Sequence, residues 1–234
     1  HKAMIQGDRV GYLIGGDRVE DKEFWAKENG LSFRIDWLRG QKTGFFIDQR
    51  DNRALLEQYA KDKDVLNMFC YTGGFSVYAL RGGAKKVHSV DVSQKAVDLV
   101  RSNVAYNFGE DAPHEAFAEE AFEFMTKNTN TYDLIILDPP AFAKHRDAVK
   151  NALRGYQRLN AKGIQSIRPG GILFTFSCSQ AIDKDMFRLA VFSAAAQVGR
   201  KVRILHQLHQ PADHPINIYH PEGEYLKGLV LQIE

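Results

Sequence analysis

The sequence predicts an α/β fold, a parallel sheet covered by helices on both faces and preceded by a small β-rich segment. Three observations carry that expectation. From Asp64 onward, strand-like and helix-like segments alternate, the pattern of strands joined by crossover helices. The stretch DVLNMFCYTGGFS (64–76) is apolar and then breaks into Thr72-Gly73-Gly74, which reads as a buried strand turning sharply into a helix. The stretch YDLIILDPPAF (132–142) is an apolar strand halted by Pro139-Pro140, which neither extend a ladder nor suit a helix interior.

Taken in order, residues 1–47 differ from the rest. Alternating segments at Arg9–Ile14, Leu31–Trp37 and Thr43–Ile47, separated by Gly15-Gly16, Asn29-Gly30 and Arg39-Gly40, predict short antiparallel strands. We therefore divide the chain into a β-rich segment, 1–47, and an α/β domain, 48–234. Asp48–Lys61 holds helix formers, with Leu55, Leu56 and Tyr59 on an apolar face and Asp48 as the cap. Strands follow at Val65–Phe69, Lys86–Val90, Glu115–Ala118, Tyr132–Leu137 and Gly171–Ser177, with helices at Phe75–Arg81, Gln94–Tyr106, Glu120–Lys127, Ala148–Ile167 and Lys184–Val198. Two closing strands, Val202–Leu208 and Leu226–Ile233, complete the set.

Composition narrows the class. With 234 residues, 44% hydrophobic and 26% charged, the chain is long enough for one full α/β domain plus an appendage and is not of a disordered type. A net charge of +2 permits an acidic partner without demanding one. Two cysteines, no apolar run near ~18 residues and no signal-peptide pattern predict a soluble, cytoplasmic protein, and nothing excludes a homodimer. The start at His1, without an initiator methionine, reads as a fragment or a cloning remnant.

The strand ends carry the chemistry. A glycine turn into a helix brings backbone and unpaired amides close to a ligand, and Asp91 stands 18 residues beyond Gly73, about where a ribose is gripped. A dinucleotide fingerprint ending at Gly74 would put Phe69 and Tyr71 where glycines must admit a pyrophosphate. A nucleoside cofactor without phosphate, S-adenosylmethionine, tolerates those rings. Asp138 is presented beyond its strand by the two prolines and should face the same crevice.

Cys178 lies where the strand of GGILFTFSCS (170–179) ends, flanked by Ser177 and Ser179, and a thiol there can act as a nucleophile; Cys70 reads instead as a small packing residue. Cytosine C5 is methylated only after a thiolate has added to C6, which makes C5 a carbon nucleophile, and an acid such as Asp138 beside the ring nitrogen would stabilise the adduct. Lys150, Arg154, Arg158 and Lys162 recur every four residues on one helix face, preceded by Lys144, His145 and Arg146. The row suits RNA phosphates as well as it suits solvent. His206, His209, His214 and His220 have no zinc spacing, and we expect no metal.

Six stretches, KTGFFIDQRDNR (42–53), LNMFCYTGGFSV (66–77), VDVSQKAVD (90–98), DPPAFAK (138–144), GILFTFSCS (171–179) and ADHPINIYHPEGEYLKG (212–228), together resemble the large-subunit ribosomal RNA cytosine-5 methyltransferase I family. The likeness covers the chain from about residue 31. It implies a Rossmann-like class I methyltransferase sheet, ribosomal RNA as partner, and S-adenosylmethionine contacted near Phe69, Tyr71 and Gly73, with Asp138 nearby and Asp91 on the ribose. Glu120 matches the acidic position near the adenine, where the family commonly has Asp. Gln49 and Arg50 match a segment beside the cofactor, and Cys178 matches the nucleophile. Members usually begin with a PUA-type RNA-binding domain, for which there is no room before residue 31. Guanine-N7 relatives lack the cysteine, and adenine-N6 enzymes carry an aromatic where Ala141 stands, with Phe142 one place late. A non-catalytic RNA-binding assembly factor is the reading from another class.

Overall fold

In the computed structural model, which describes residues 24–36, 40, 44–143 and 146–234, the central strands sort their side chains with period two into separate cores. Leu66, Met68, Ile135, Leu137 and Leu173 enter one core, while Val65, Leu134, Ile136, Phe174 and Phe176 enter the other. Burial of both faces explains why these strands read as continuous apolar runs. The strands are β3 (Asp64–Met68), β4 (Lys86–Asp91), β5 (His114–Ala118), β6 (Leu134–Leu137) and β7 (Ile172–Ser177). Helices α4 (Ala121–Lys127), α5 (Val149–Ser166) and α6 (Lys184–Val198) cover the first face through Phe124, Tyr156, Ile164 and Phe187. On the other, α1 (Arg50–Tyr59) and α2 (Gly74–Arg81) bring Leu56, Phe75 and Ala79.

Sheet order is β5-β4-β3-β6-β7-β9-β8, with β8 (Val202–Leu208) and β9 (Lys227–Ile233) as the closing strands. The first five run parallel, and β9 runs antiparallel to both β7 and β8. The expected parallel sheet is therefore a mixed one. Residues 209–226 hold only a 3-10 turn, Pro221–Gly223, and a return without a crossover helix brings a strand back antiparallel. The winding reverses between β3 and β6, so a crevice opens beyond their carboxyl ends.

Ahead of the sheet, β1 (Phe24–Glu28), which the pattern did not predict, pairs with β2 (Leu31–Ile35). Asn29 and Gly30, at φ 49° and 84°, make the two-residue turn that strand twist favours. Helix α3 (Gln94–Phe108) receives this hairpin: Asn107 bonds both backbone groups of Ser32 at 2.9 and 2.7 Å, and Asn103 accepts from the Arg34 amide at 2.7 Å. Arg53 adds a bidentate bond to Glu28 at 2.9 and 2.8 Å. Gly44 and Phe45 are bends, Phe46 is irregular and Ile47–Gln49 is a 3-10 turn, in place of the strand expected at Thr43–Ile47. Gly44 lies so close to β2 that a Cβ there would sit 2.7 Å from the Asp36 carbonyl, and the Phe46 carbonyl is held by Arg53 at 2.9 Å. Asp48 does not cap α1; Gln49 holds the cap position without a side-chain bond. Arg9–Ile14, Trp37, Thr43, Lys144 and His145 lie outside the described residues.

Candidate functional site

A cavity of about 300 Å³ lies at the carboxyl ends of β3, β4 and β6. The β3–α2 loop forms its floor in a costly conformation. Phe69, Tyr71 and Gly73 take φ of 58°, 47° and 78°, a backbone region that non-glycine residues hold only where the surroundings impose it. Gly73 is required twice over, since a Cβ there would lie 1.9 Å from Val100 Cγ2. It shapes the loop, while Phe69, Tyr71 and Gly74 line the cavity. The Cys70 amide donates to the Val90 carbonyl at 3.1 Å, and Asn103 Nδ2 donates to the Thr72 carbonyl at 2.8 Å.

Asp91 ends β4 on the cavity wall. Its Oδ2 accepts the Tyr71 amide at 3.1 Å and its Oδ1 the Ser93 amide at 3.0 Å, which fixes the carboxylate and leaves each oxygen a further lone pair. Glu120, also on the wall, caps α4 by accepting from the Phe122 and Glu123 amides at 2.8 and 3.1 Å.

Across the cavity, Asp138 accepts from Gln49 Nε2 at 3.1 Å, and Asn52 fixes that amide by donating to Gln49 Oε1 at 2.7 Å. Asp48, read from the sequence as a cap, is 5% exposed and lines the same cavity. The Tyr225 hydroxyl donates to its Oδ2 at 2.5 Å, while Oδ1 is buried with no hydrogen-bond partner. Burial, and then Asp48 itself, push the Tyr225 phenol well up. His214 Nε2 meets the same hydroxyl at 3.1 Å.

Cys178, half-buried just past β7, lines the cavity with its Sγ 3.9 Å from the Pro139 carbonyl, so the thiol meets the Asp-Pro-Pro loop. Ser179 pins that loop by accepting from the Ala143 amide at 3.2 Å and bonding the Tyr156 hydroxyl at 2.9 Å. Behind it, Lys227 Nζ donates to the carbonyls of Ser179 and Tyr225 at 2.6 and 2.7 Å. Burial lowers Lys227 to about 8. Cys70 also lines the cavity, but burial and then Asp91 hold its thiol well above the ordinary range.

Not every expected residue converges here. Arg50 does not line the cavity and pairs with Asp51 at 3.1 Å and with Asp213. Lys150, Arg154 and Arg158 are exposed on α5 and none lines the cavity; Arg158 lies 5.8 Å over the Phe122 ring. Arg146 falls in the 3-10 turn Arg146–Ala148 that precedes α5. Of the four late histidines, His206 bonds Tyr59 at 2.7 Å and His209 the Gln210 carbonyl at 2.7 Å, and no group among the described residues could hold a metal.

The wall chemistry tests the cofactor. Asp48, Asp91, Glu119, Glu120 and Asp138 face the cavity, and among the described residues the one cationic side chain in its lining, Arg53, is taken by Glu28. Such a wall repels a pyrophosphate and suits a ligand with a ribose, an ammonium and a sulfonium. The buried, unpartnered Oδ1 of Asp48 is an acceptor of the kind a cationic ligand needs. S-adenosylmethionine fits this donor set.

Comparison with known proteins agrees. Residues 6–225 match the family model of S-adenosylmethionine-dependent methyltransferases. A ribosomal RNA large subunit methyltransferase I from Alteromonas mediterranea is 46% identical over 211 residues, 89% of this chain and 53% of that protein. One of the same name from Tolumonas auensis is 43% identical over 228 residues, 96% of this chain and 57% of the relative. The chain thus spans little more than half the length of these curated relatives. Among solved structures, a methyltransferase complexed with S-adenosylhomocysteine superposes with a TM-score of 0.83 at 28% identity, over 94% of this chain and 58% of the other. A SAM-dependent methyltransferase from Streptococcus mutans gives 0.80 at 27%, over 91% and 56%.

Proposed function

The chain belongs to the S-adenosylmethionine-dependent methyltransferases, and from that premise we propose that it forms 5-methylcytosine in 23S ribosomal RNA through a covalent adduct on Cys178. The observation that supports this most is the meeting of Cys178 and Asp138, from the ends of two adjacent strands, in the cavity that also holds Asp91 and Glu120. Relatives named as large-subunit ribosomal RNA methyltransferases supply the RNA.

The Cys178 thiolate adds to C6 of a cytosine turned out of its stack, forming an S–C6 bond and pushing the electron pair towards C5. Asp138, held by Gln49, shares a proton with the ring nitrogen and so stabilises the adduct. S-adenosylmethionine supplies the methyl group that C5 takes up. Loss of the C5 proton to a base then re-forms the C5–C6 double bond, and the thiolate leaves. Phe69, Tyr71, Asp91 and Glu120 hold the cofactor on the loop that Gly73 shapes, with Gln49 and Asp138 beside it, and Lys144, Arg146, Lys150, Arg154 and Arg158 take RNA phosphates. A ribosomal RNA substrate makes the cytoplasm the working compartment.

RNA carrying 5-fluorocytosine tests this directly, because fluorine does not leave as the C5 proton does. Incubated with the protein and S-adenosylmethionine, it should give a protein–RNA adduct that survives denaturation and disappears in Cys178→Ser. Absence of the adduct, with cofactor and RNA binding both shown, overturns the cytosine reading in favour of another base such as guanine N7 or adenine N6. RNA binding without cofactor binding points instead to a non-catalytic assembly factor.

A further inference from the structure

We propose that Lys227 holds Cys178 as a thiolate, its buried ammonium serving as the counter-charge to the sulfur. The inference deepens the proposed function and rests on its assignment of Cys178 as the nucleophile.

Lys227 opens β9 directly opposite Ser177 in the antiparallel register with β7, which sets its stem beside the residue that precedes Cys178. Its Nζ turns back to bond the Ser179 carbonyl on the other side of that cysteine and the Tyr225 carbonyl. The side chain therefore brackets Cys178 from behind, away from the face that lines the cavity.

Lys227 is 5% exposed, and among the described residues no carboxylate forms an ion pair with it and no third acceptor takes its remaining N–H. A buried ammonium without an anion is costly, and its pKa falls until the group neutralises or finds one. The charged and titratable groups around it are few. Asp183, at the start of α6, spends its carboxylate on the Met186 amide, and Glu224 pairs with Lys184. Tyr225 donates to Asp48, Tyr156 on α5 bonds Ser179, and Asp138 beyond β6 takes Gln49. Burial lowers Lys227 to about 8, and negative charge on Cys178, then on Asp183 and Glu224, works against that fall. By reciprocity the ammonium draws the thiol proton off at lower pH. A lysine that merely tied two carbonyls would leave the thiol at its ordinary value.

The pH dependence of iodoacetamide alkylation reads this out without RNA or cofactor, with Cys178→Ser defining the contribution of Cys70, whose raised pKa keeps it slow. In the unmodified protein the midpoint for Cys178 should fall below the ordinary thiol value of about 8.5. In Lys227→Met it should move up by at least about one pH unit, a tenfold loss of rate at pH 7, and Lys227→Arg should restore it. A midpoint at or above about 8.5 in the unmodified protein overturns the proposal, whether or not Lys227→Met folds. So does an unmoved midpoint in a folded Lys227→Met. The 5-fluorocytosine adduct reports separately on the methyltransferase reading: an adduct with an ordinary thiol midpoint defeats Lys227 alone, and a depressed midpoint without adduct defeats the cytosine assignment alone.

Discussion

At the amino ends of β3 and β6, Asp64 and Asp133 share one guanidinium, whereas at the carboxyl ends of β4 and β6, Asp91 and Asp138 are met by backbone and side-chain amides. Arg168 Nη1 reaches Asp64 at 2.9 Å and Asp133 at 3.0 Å, and Asp133 Oδ2 also accepts the Asp64 amide at 3.0 Å. That cluster joins two strand starts to the turn before β7. At the other end Asp91 is oriented by the Tyr71 and Ser93 amides and Asp138 accepts from Gln49, and both line a cavity. The same residue type thus serves cohesion at one end of the sheet and ligand chemistry at the other. The difference lies in the partner: a guanidinium satisfies a carboxylate's charge, while an amide orients it and leaves the charge available.

Three measurements sharpen or break this contrast. The largest effect is expected for Asp91→Ala, which should raise the S-adenosylmethionine dissociation constant roughly 10- to 100-fold, as lost bonds to a charged acceptor do. Asp64→Asn should leave it unchanged; isothermal titration compares the two, and an equal loss in both would erase the distinction. Next, Arg168→Met should cost about 1 kcal/mol in urea unfolding, a modest figure because the guanidinium is 38% exposed, with cofactor affinity untouched.

Burial works against ionisation of Asp133, yet the Asp64 amide and Arg168 outweigh it and hold the carboxyl below its usual value. Its contribution is therefore present above the unfolded carboxylate range and lost as pH falls through the folded value. The penalty of Arg168→Met should shrink below about pH 4.

His114 opens a separate acid window. Burial, then His88, lower His114 to about 4 at the start of β5, where it bonds Ser89 at 2.8 Å. The unfolded chain takes up this proton first, so stability should decline as pH drops from about 6.5 towards 4. His114→Gln should flatten that limb in urea titrations, and an unchanged limb would assign it elsewhere.

Much of this was legible in one dimension. The pattern from Asp64 onward specified seven strands and the helices, and β3 and β6 read as uninterrupted apolar runs since both their faces are buried. Pro139-Pro140 marked where Asp138 leaves its strand, and Thr72-Gly73-Gly74 marked the loop that needs a positive φ at Gly73. Other features were hidden because their signals are ambiguous locally. Asp48 before a helix looks like a cap, and only Tyr225, 177 positions away, makes it a wall of the cavity. Phe45 and Phe46 alternate like a strand, but Gly44 folds them against β2 and Arg53. Lys227 looks like an ordinary exposed lysine until β9 inserts between β7 and β8 and buries it.

From Asp64 onward the elements, the strand-end residues and the family resemblance could be read from local pattern, because periodicity, proline and glycine act over a few residues. Tertiary structure alone decided which acids meet a guanidinium and which meet a cavity. It also decided that a lysine from the last strand backs the cysteine and that the amino-terminal hairpin rests on α3. Those outcomes depend on contacts between residues as much as 177 positions apart, which no local pattern encodes.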